Sequence, residues 1–318
     1  MIGCQDASIS YTGRFSLYEG AMTTTTSGSQ IKIAFKGDTI RLLFDVKTNE
    51  RTMPHLWLVL DGGAKVEMPV DAFLRLETTP GNHILEVIFK GSVETQSRFF
   101  HPLVSKVSFL GYDLAEPGML PEDNRKIIEF VGDSITEGVL IDADTGEYGN
   151  TACQSHATDA TATYGWVAAE ILGLRHCHMG YGRVGVTIEG NGGVPLVQEA
   201  YPWCFQDAPV SYHPDYVVIN LGTNDRGASA EAFSAGYRKL LEVIRGCHPN
   251  AKIFSMCPFV QPHAETLRQV VADFNRENGE EVVFIETEGW VPLEPIHPLR
   301  GPHRRAGELL ARELRKFL

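Results

Sequence analysis

No run of the 318 residues approaches the ~20 consecutive apolar positions that a membrane-spanning helix requires. The amino terminus, MIGCQDASISYTGRF, has neither a basic n-region nor an apolar h-region, so it does not read as a secretory signal. Six cysteines, at 4, 153, 177, 204, 247 and 257, are too scattered for a disulfide pattern; Cys177 and Cys257 fall in expected core strands and read as buried thiols. Positive charge is scarce. The 28 Lys and Arg against 40 Asp and Glu leave a net charge of −12, which argues against nucleic acid or an anionic membrane as partner. A metal centre lacks ligands: His176 and His178 straddle Cys177 and share one face of a strand, but no third ligand stands at a sensible spacing. Neither metal nor cofactor is expected. With 43% apolar residues and a length beyond one comfortable core, the expectation is a globular, cytoplasmic protein of two domains.

What is present concentrates in three places. Residues 127–138 read IIEFVGDSITEG. Ile127, Ile128, Phe130 and Val131 have the length and branching of a buried central strand. Gly132 allows a tight turn, and Asp133-Ser134 can cap a following helix, whose amino end favours negative charge. Taken alone, Asp133 or Ser134 is more readily a plain helix cap than a functional group. Residues 215–225, DYVVINLGTND, again run from an apolar strand into a polar turn, and a parallel arrangement brings Asn224 to the same edge as Ser134. Near the carboxyl terminus EPIHP places His297 just before a helix over about 302–317, with Ala306, Leu309, Leu310, Leu314 and Phe317 on one face. A serine needs a base within hydrogen-bond reach to become a nucleophile. His297 can be that base, Glu294 can hold its other ring nitrogen, and the Asn224 amide can donate to a developing oxyanion.

In this order, GDSITEG, GTND and ExxHP resemble the motif blocks of the GDSL/SGNH hydrolases, over about residues 126–318. The resemblance implies Ser134 as nucleophile with its own N–H in the oxyanion hole, Asn224 as the third-block donor and His297 as the base. It also implies a glycine N–H from the turn GYGRVGVT at 180–187, where Gly185 matches best and Gly182 is the reserve. The family has Asp three residues before the histidine and this chain has Glu294. Either Glu294 serves, or a Ser-His pair works with a backbone carbonyl orienting the ring. His303, six residues after His297, reads as the helix-start histidine of the family pattern. Asp133 and Asp225 read as turn-holding groups that accept backbone N–H bonds, with Asp133 also a candidate for substrate contact.

Residues 1–115 have a different texture. QIKIAFKG, TIRLLFDVKT, HLWLVLDGG, HILEVIFKG and VSKVSFLGYDL alternate apolar and polar positions, separated by turn signals at Asp61-Gly62-Gly63 and Pro80-Gly81-Asn82. That spacing predicts an antiparallel β-sandwich or jelly roll. A linker at 116–124, rich in Pro, Gly and acids, leads to a domain over 125–318. There strands near 127–131, 175–180, 215–221, 252–257 and 282–286 alternate with helices near 161–173, 229–246, 264–277 and 302–317. Phe233, Tyr237, Leu240, Leu241 and Ile244 form an apolar stripe on one of them. This is a three-layer α/β/α domain with a mainly parallel sheet, flavodoxin-like in the family.

A β-sandwich ahead of a GDSL-type domain is similar to the two-domain carbohydrate esterases of family two, which remove acetyl groups from plant polysaccharides. The implied function is a serine esterase acting on short-chain, acetyl esters of a sugar or oligosaccharide. A lipid esterase, thioesterase or acyltransferase of the same fold is the alternative among enzymes, and a catalytically silent carbohydrate-binding protein the alternative outside them. Trp203, Tyr201 and Trp290 lie in loop-like segments where their faces could stack on sugar rings. Trp166, on a helix with Val167, Ile171 and Leu172, reads as core.

Overall fold

The computed structural model describes residues 1–49, 52–143 and 154–318; Cys153 lies outside them. Among the described residues, ten strands form one antiparallel sheet. They are β1 (Ile2–Gly3), β2 (Ile9–Thr12), β3 (Ser16–Tyr18), β4 (Ala21–Thr24), β5 (Gln30–Phe44), β6 (His55–Leu60), β7 (Val66–Pro69), β8 (Phe73–Gly91), β9 (Val107–Asp113) and β10 (Glu116–Pro117). The order is β3-β4-β9-β5-β8-β6-β7, with β1 on β9 and both β2 and β10 on β5. One bent sheet encloses the core expected of a sandwich. The long strands β5 and β8 pair along most of their length, with a register shift between Gly37 and Thr39. Ile31, Ile33 and Phe35 bury odd positions before the shift, and Ile40, Leu42 and Phe44 bury even ones after it, so the irregularity keeps the apolar side chains on one core. Pro80-Gly81-Asn82 is therefore no turn: it lies inside β8, with Gly81 opposite Gly37 beside the register shift. The sheet also runs two residues past 115, because Glu116 and Pro117 pair with Lys36 and Phe35.

The second half contains β11 (Ile127–Gly132), β12 (Arg175–Gly180), β15 (Tyr216–Asn220), β16 (Lys252–Met256) and β17 (Val283–Ile285) in a parallel sheet of order β12-β11-β15-β16-β17. A small antiparallel pair, β13 (Trp203–Phe205) and β14 (Ala208–Pro209), stands apart from it. The helices are α1 (Ser134–Glu137), α2 (Gln154–Ala157), α3 (Tyr164–Leu172), α4 (Val197–Ala200), α5 (Ala230–Cys247), α6 (Ala264–Asn278) and α7 (Arg300–Leu314). Period-two alternation divides the sheet between two layers. Ile128, Phe130, Val218 and Phe254 pack with Tyr164 and Ala168 of α3 and Leu310 and Leu314 of α7. Val131, Val217, Ile219 and Ile253 pack with Leu240, Leu241 and Ile244 of α5 and Leu267 and Phe274 of α6. The last helix begins two residues earlier than its periodicity suggested and ends at Leu314, so Phe317 lies beyond it, 40% exposed.

The two domains meet over a seam that buries charge. Arg14, from the segment after β2, donates to Glu129 at 2.9 and 3.1 Å, and both side chains are fully buried. Burial alone would raise the Glu129 pKa; Arg14 and the hydroxyls of Tyr212 and Tyr201 outweigh it and hold the carboxyl below its ordinary range. Trp166 packs against Val59 and Ile88, making it a seam residue, whereas Ile171 on the same helix is 41% exposed. Removing one partner of a buried pair leaves the other charged and unsolvated. Arg14→Met is accordingly expected to cost about 3 kcal/mol or more of stability, read from urea unfolding curves; a loss below ~1 kcal/mol would show that the pair is not needed at the seam.

Candidate active site

Gly132 ends β11, and a Cβ there would lie 2.0 Å from Thr136 Oγ1, so the close return of α1 over the strand end requires glycine. Asp133 caps α1, its carboxylate accepting the Ile135 N–H at 2.9 Å. Gly138, at φ 82°, stops the helix after one turn. A single turn contributes little macrodipole, contrary to the expectation of a helix terminus favouring charge at Ser134. What Ser134 has is its own N–H at the first helical position, where no intrahelical acceptor exists.

His297 reaches this serine. Its Nε2 is 2.9 Å from Ser134 Oγ, and both residues are buried. Arg300, three residues on, fixes the segment: its N–H donates to the Ile141 carbonyl at 3.2 Å and its guanidinium to Asp142 and Asp159 at 2.7 to 2.9 Å. Burial pushes the His297 pKa down to about 4, so the ring is the neutral, proton-accepting form at neutral pH. The competing histidine is excluded by its bonding. His303 Nδ1 accepts the Tyr164 N–H at 3.1 Å and its ring stacks on Tyr164, deep in the helical layer.

Glu294 does not join the pair. It is exposed and makes no hydrogen bond or ion pair with a described residue. The expected acidic third member is thus displaced from the ring.

Asn224 follows β15 and Ser134 follows β11, neighbours in the sheet. The Asn224 amide donates to the Val184 carbonyl at 3.2 Å and lies 3.5 Å from Asp133 Oδ2. Asp225 holds the 180–187 turn by accepting the N–H groups of Val186 and Thr187, at 3.3 and 2.7 Å, and the Thr187 hydroxyl at 2.6 Å. Both glycine donors are committed within the protein: Gly185 N–H to the Ile188 carbonyl at 2.9 Å, Gly182 N–H to Glu137 at 2.7 Å. For Gly185 to serve an oxyanion it would exchange that bond for one to substrate.

Asp133 is a buried cap on the helix that carries Ser134. Burial, with the like charge of Asp225 adding and the Ile135 N–H opposing, raises its pKa to about 7, which lessens negative charge beside the developing oxyanion. Of the aromatic candidates, Tyr201 is fully buried and donates its hydroxyl to Glu129, so it offers no stacking face. The Trp203 carbonyl accepts from Arg14 at 2.9 Å, which ties its strand to the seam, while its side chain is 38% exposed. Trp290 packs half-buried against the α3/α7 layer. A cavity of about 820 Å³ lined by Lys32, Glu86, Trp166, Arg175 and His176 opens at the amino ends of β11 and β12, the far edge from Ser134.

Two residues beside the site escaped the motif reading: Glu137, at the end of α1, and Arg98, which pairs with it from the first domain. A buried Glu in an apolar strand, such as Glu129, signals a hidden cation; nothing local marks Arg98.

The acid limb of kcat/KM is expected near pH 4, because activity needs the neutral ring and only protonation of His297 removes it. A limb at or above ~6.5 would mean a charged partner at the imidazole. Glu294→Ala is expected to keep kcat within ~3-fold of wild type, and a loss equal to that of His297→Ala would restore Glu294 to the mechanism.

The profile of the GDSL-like Lipase/Acylhydrolase family matches residues 130–313. Cellulase/esterase CelE of Acetivibrio thermocellus is 29% identical over 239 residues, 68% of this chain and 29% of CelE, so the chain spans under a third of that relative. A family two carbohydrate esterase from Clostridium thermocellum, solved with cellohexaose, superposes with a TM-score of 0.79 at 24% identity over 97% of this chain and 98% of that one. One from Cellvibrio japonicus gives 0.81 at 19% identity, over 99% and 96% of the two chains. The likeness in fold thus runs through both domains, β-rich and parallel alike. With its family profile covering residues 130–313, more than half its length, the chain belongs to the GDSL-like lipase/acylhydrolase family.

Proposed function

We propose that this protein is a serine esterase that removes short acyl groups, acetyl foremost, from carbohydrate esters. The observation that carries the reading is the 2.9 Å contact between Ser134 Oγ and His297 Nε2, with Asn224 at the neighbouring strand end. In this mechanism Ser134 Oγ attacks the ester carbonyl as its proton passes to His297 Nε2. The Ser134 N–H, the Asn224 amide and, after exchange of its internal bond, the Gly185 N–H receive the oxyanion. His297 returns the proton to the departing sugar oxygen, and the C–O bond to the sugar breaks. Water, deprotonated by His297, then cleaves the acyl-serine and restores the enzyme.

Carbohydrate as the alcohol portion is supported by the name and cellohexaose complex of the relatives, all of which concern those proteins. A cytoplasmic address, with short oligosaccharides as substrate, is part of the same proposal; the free thiols Cys4, Cys177, Cys204, Cys247 and Cys257 among the described residues are compatible with it. Recovery of the protein outside the cell would contradict that address.

Initial rates on p-nitrophenyl acetate, butyrate and octanoate separate the readings. A rate falling steeply with acyl length, and reduced ~10⁴-fold or more in Ser134→Ala with folding intact, is expected. A preference for octanoate would favour a lipid esterase, and an active Ser134→Ala protein would end the serine mechanism.

A further inference from the structure

The segment between β8 and β9, residues 92–106, has no strand or helix of its own and reaches under the catalytic turns. Its Arg98 donates from Nη1 to Glu137 Oε1, with side chains 1% and 0% exposed. Glu137 is the last residue of α1, three after Ser134, and its N–H bonds the Asp133 carbonyl at 2.9 Å. Its second oxygen, Oε2, accepts the Gly182 N–H at 2.7 Å. Arg98 holds the far end of the same loop as well, its N–H donating to the Gly192 carbonyl at 2.9 Å and its guanidinium lying 5.1 Å from the Tyr181 ring centroid. Glu94, from the same segment, sits so close that a Cβ at Gly182 would lie 1.7 Å from its Oε2. The 180–187 turn continues to Val184, whose carbonyl receives the Asn224 amide. One carboxylate therefore ties together the nucleophile's helix, the turn beside the oxyanion donors and a cation from the other domain.

We propose that Arg98 and Glu137 are positioning residues for acyl transfer, through which the first domain sets the nucleophile's helix and the 180–187 turn in their working geometry. The proposal rests on the serine esterase reading. The second seam pair makes the contrast. Arg14–Glu129 is as deeply buried and also crosses the domains, but Glu129 lies in mid-strand and is held by Tyr201 and Tyr212, with no bond to either catalytic turn. It holds the domains together, whereas Arg98–Glu137 also holds the site. Removing Arg98 alone would leave Glu137 buried without its counter-ion; burial already raises its pKa against the pull of Arg98, so the carboxyl would take up a proton and become a weaker acceptor for Gly182.

Three double variants decide the matter: Arg98→Met/Glu137→Met, Arg98→Met/Glu137→Gln, and Arg14→Met/Glu129→Met. Each is read by kcat and KM on p-nitrophenyl acetate, by the rate of Ser134 labelling with a fluorophosphonate, and by hydrogen exchange of the Gly182 amide. The first is expected to lose ~100-fold in kcat and labelling, with KM within ~3-fold and faster Gly182 exchange, because a misplacement of about 1 Å costs that much. The second keeps an acceptor for Gly182 and is expected to recover most of the loss. The third removes both charges together, leaves the catalytic turns untouched, and is expected to keep kcat within ~3-fold of wild type. Wild-type kcat in the first variant, an equal loss in the third, or no recovery in the second overturns the proposal. If the first variant does not fold, Glu137→Gln with Arg98 intact replaces it: a protected Gly182 amide is expected, and a fast-exchanging amide with wild-type kcat overturns the proposal. A wild-type protein inert to both reagents defeats the esterase reading itself, whereas a reactive wild type with insensitive variants defeats the positioning role alone.

Discussion

Everything at the candidate site depends on the strand order β12-β11-β15. The chain leaves β11 toward one edge of the sheet and later returns on its other side as β15. The turns after these two strands therefore diverge, leaving a crevice at the carboxyl ends where open α/β sheets bind ligands. Ser134 stands on one lip and Asn224 on the other. The 180–187 turn closes the crevice from β12, and the segment before α7 brings His297 across it. Four stretches far apart in the chain thus converge through topology, with Asp225 and Glu137 as the carboxylates that bind the turns together.

The β-rich domain is part of this arrangement through its seam. Two buried ion pairs, Trp166 against Val59 and Ile88, and the Trp57 indole donating to Asp159 at 3.0 Å join the halves. Asp159 in turn accepts from Arg300, three residues after His297. The seam therefore touches both the helix that carries Ser134 and the segment that carries His297. Charged pairs in such a place are costly to desolvate, so they contribute specificity of docking more than net stability.

Much of this was legible in the sequence because local pattern and tertiary role coincided. The five parallel strands and the four long helices were visible because each carries a complete apolar period, and Ser134, Asn224 and His297 because each sits in a short polar turn directly after or before such an element. Where pattern and role diverged, the reading failed for identifiable reasons. Pro80-Gly81-Asn82 has turn composition, but it lies inside β8, with Gly81 opposite Gly37 beside the register shift. Glu294 has the family's spacing to His297, yet its own side chain faces solvent. Tyr201 looked like a loop aromatic, and a buried carboxylate on β11 drew its hydroxyl inward. Arg98 was invisible because its partner is 39 residues away, in the other domain.

The proposed chemistry turns on where the Ser134 proton goes. His297, neutral because it is buried, can receive it, and the divided crevice provides donors for the charge that results. The most direct measurement is rapid-quench mass spectrometry of the protein mixed with an acetylated xylo-oligosaccharide. The account requires a transient gain of one acetyl group on the peptide containing Ser134, decaying as free acetate appears and absent in His297→Ala. Acetate released with no acylated peptide at any time, or acylation at another residue, would contradict it.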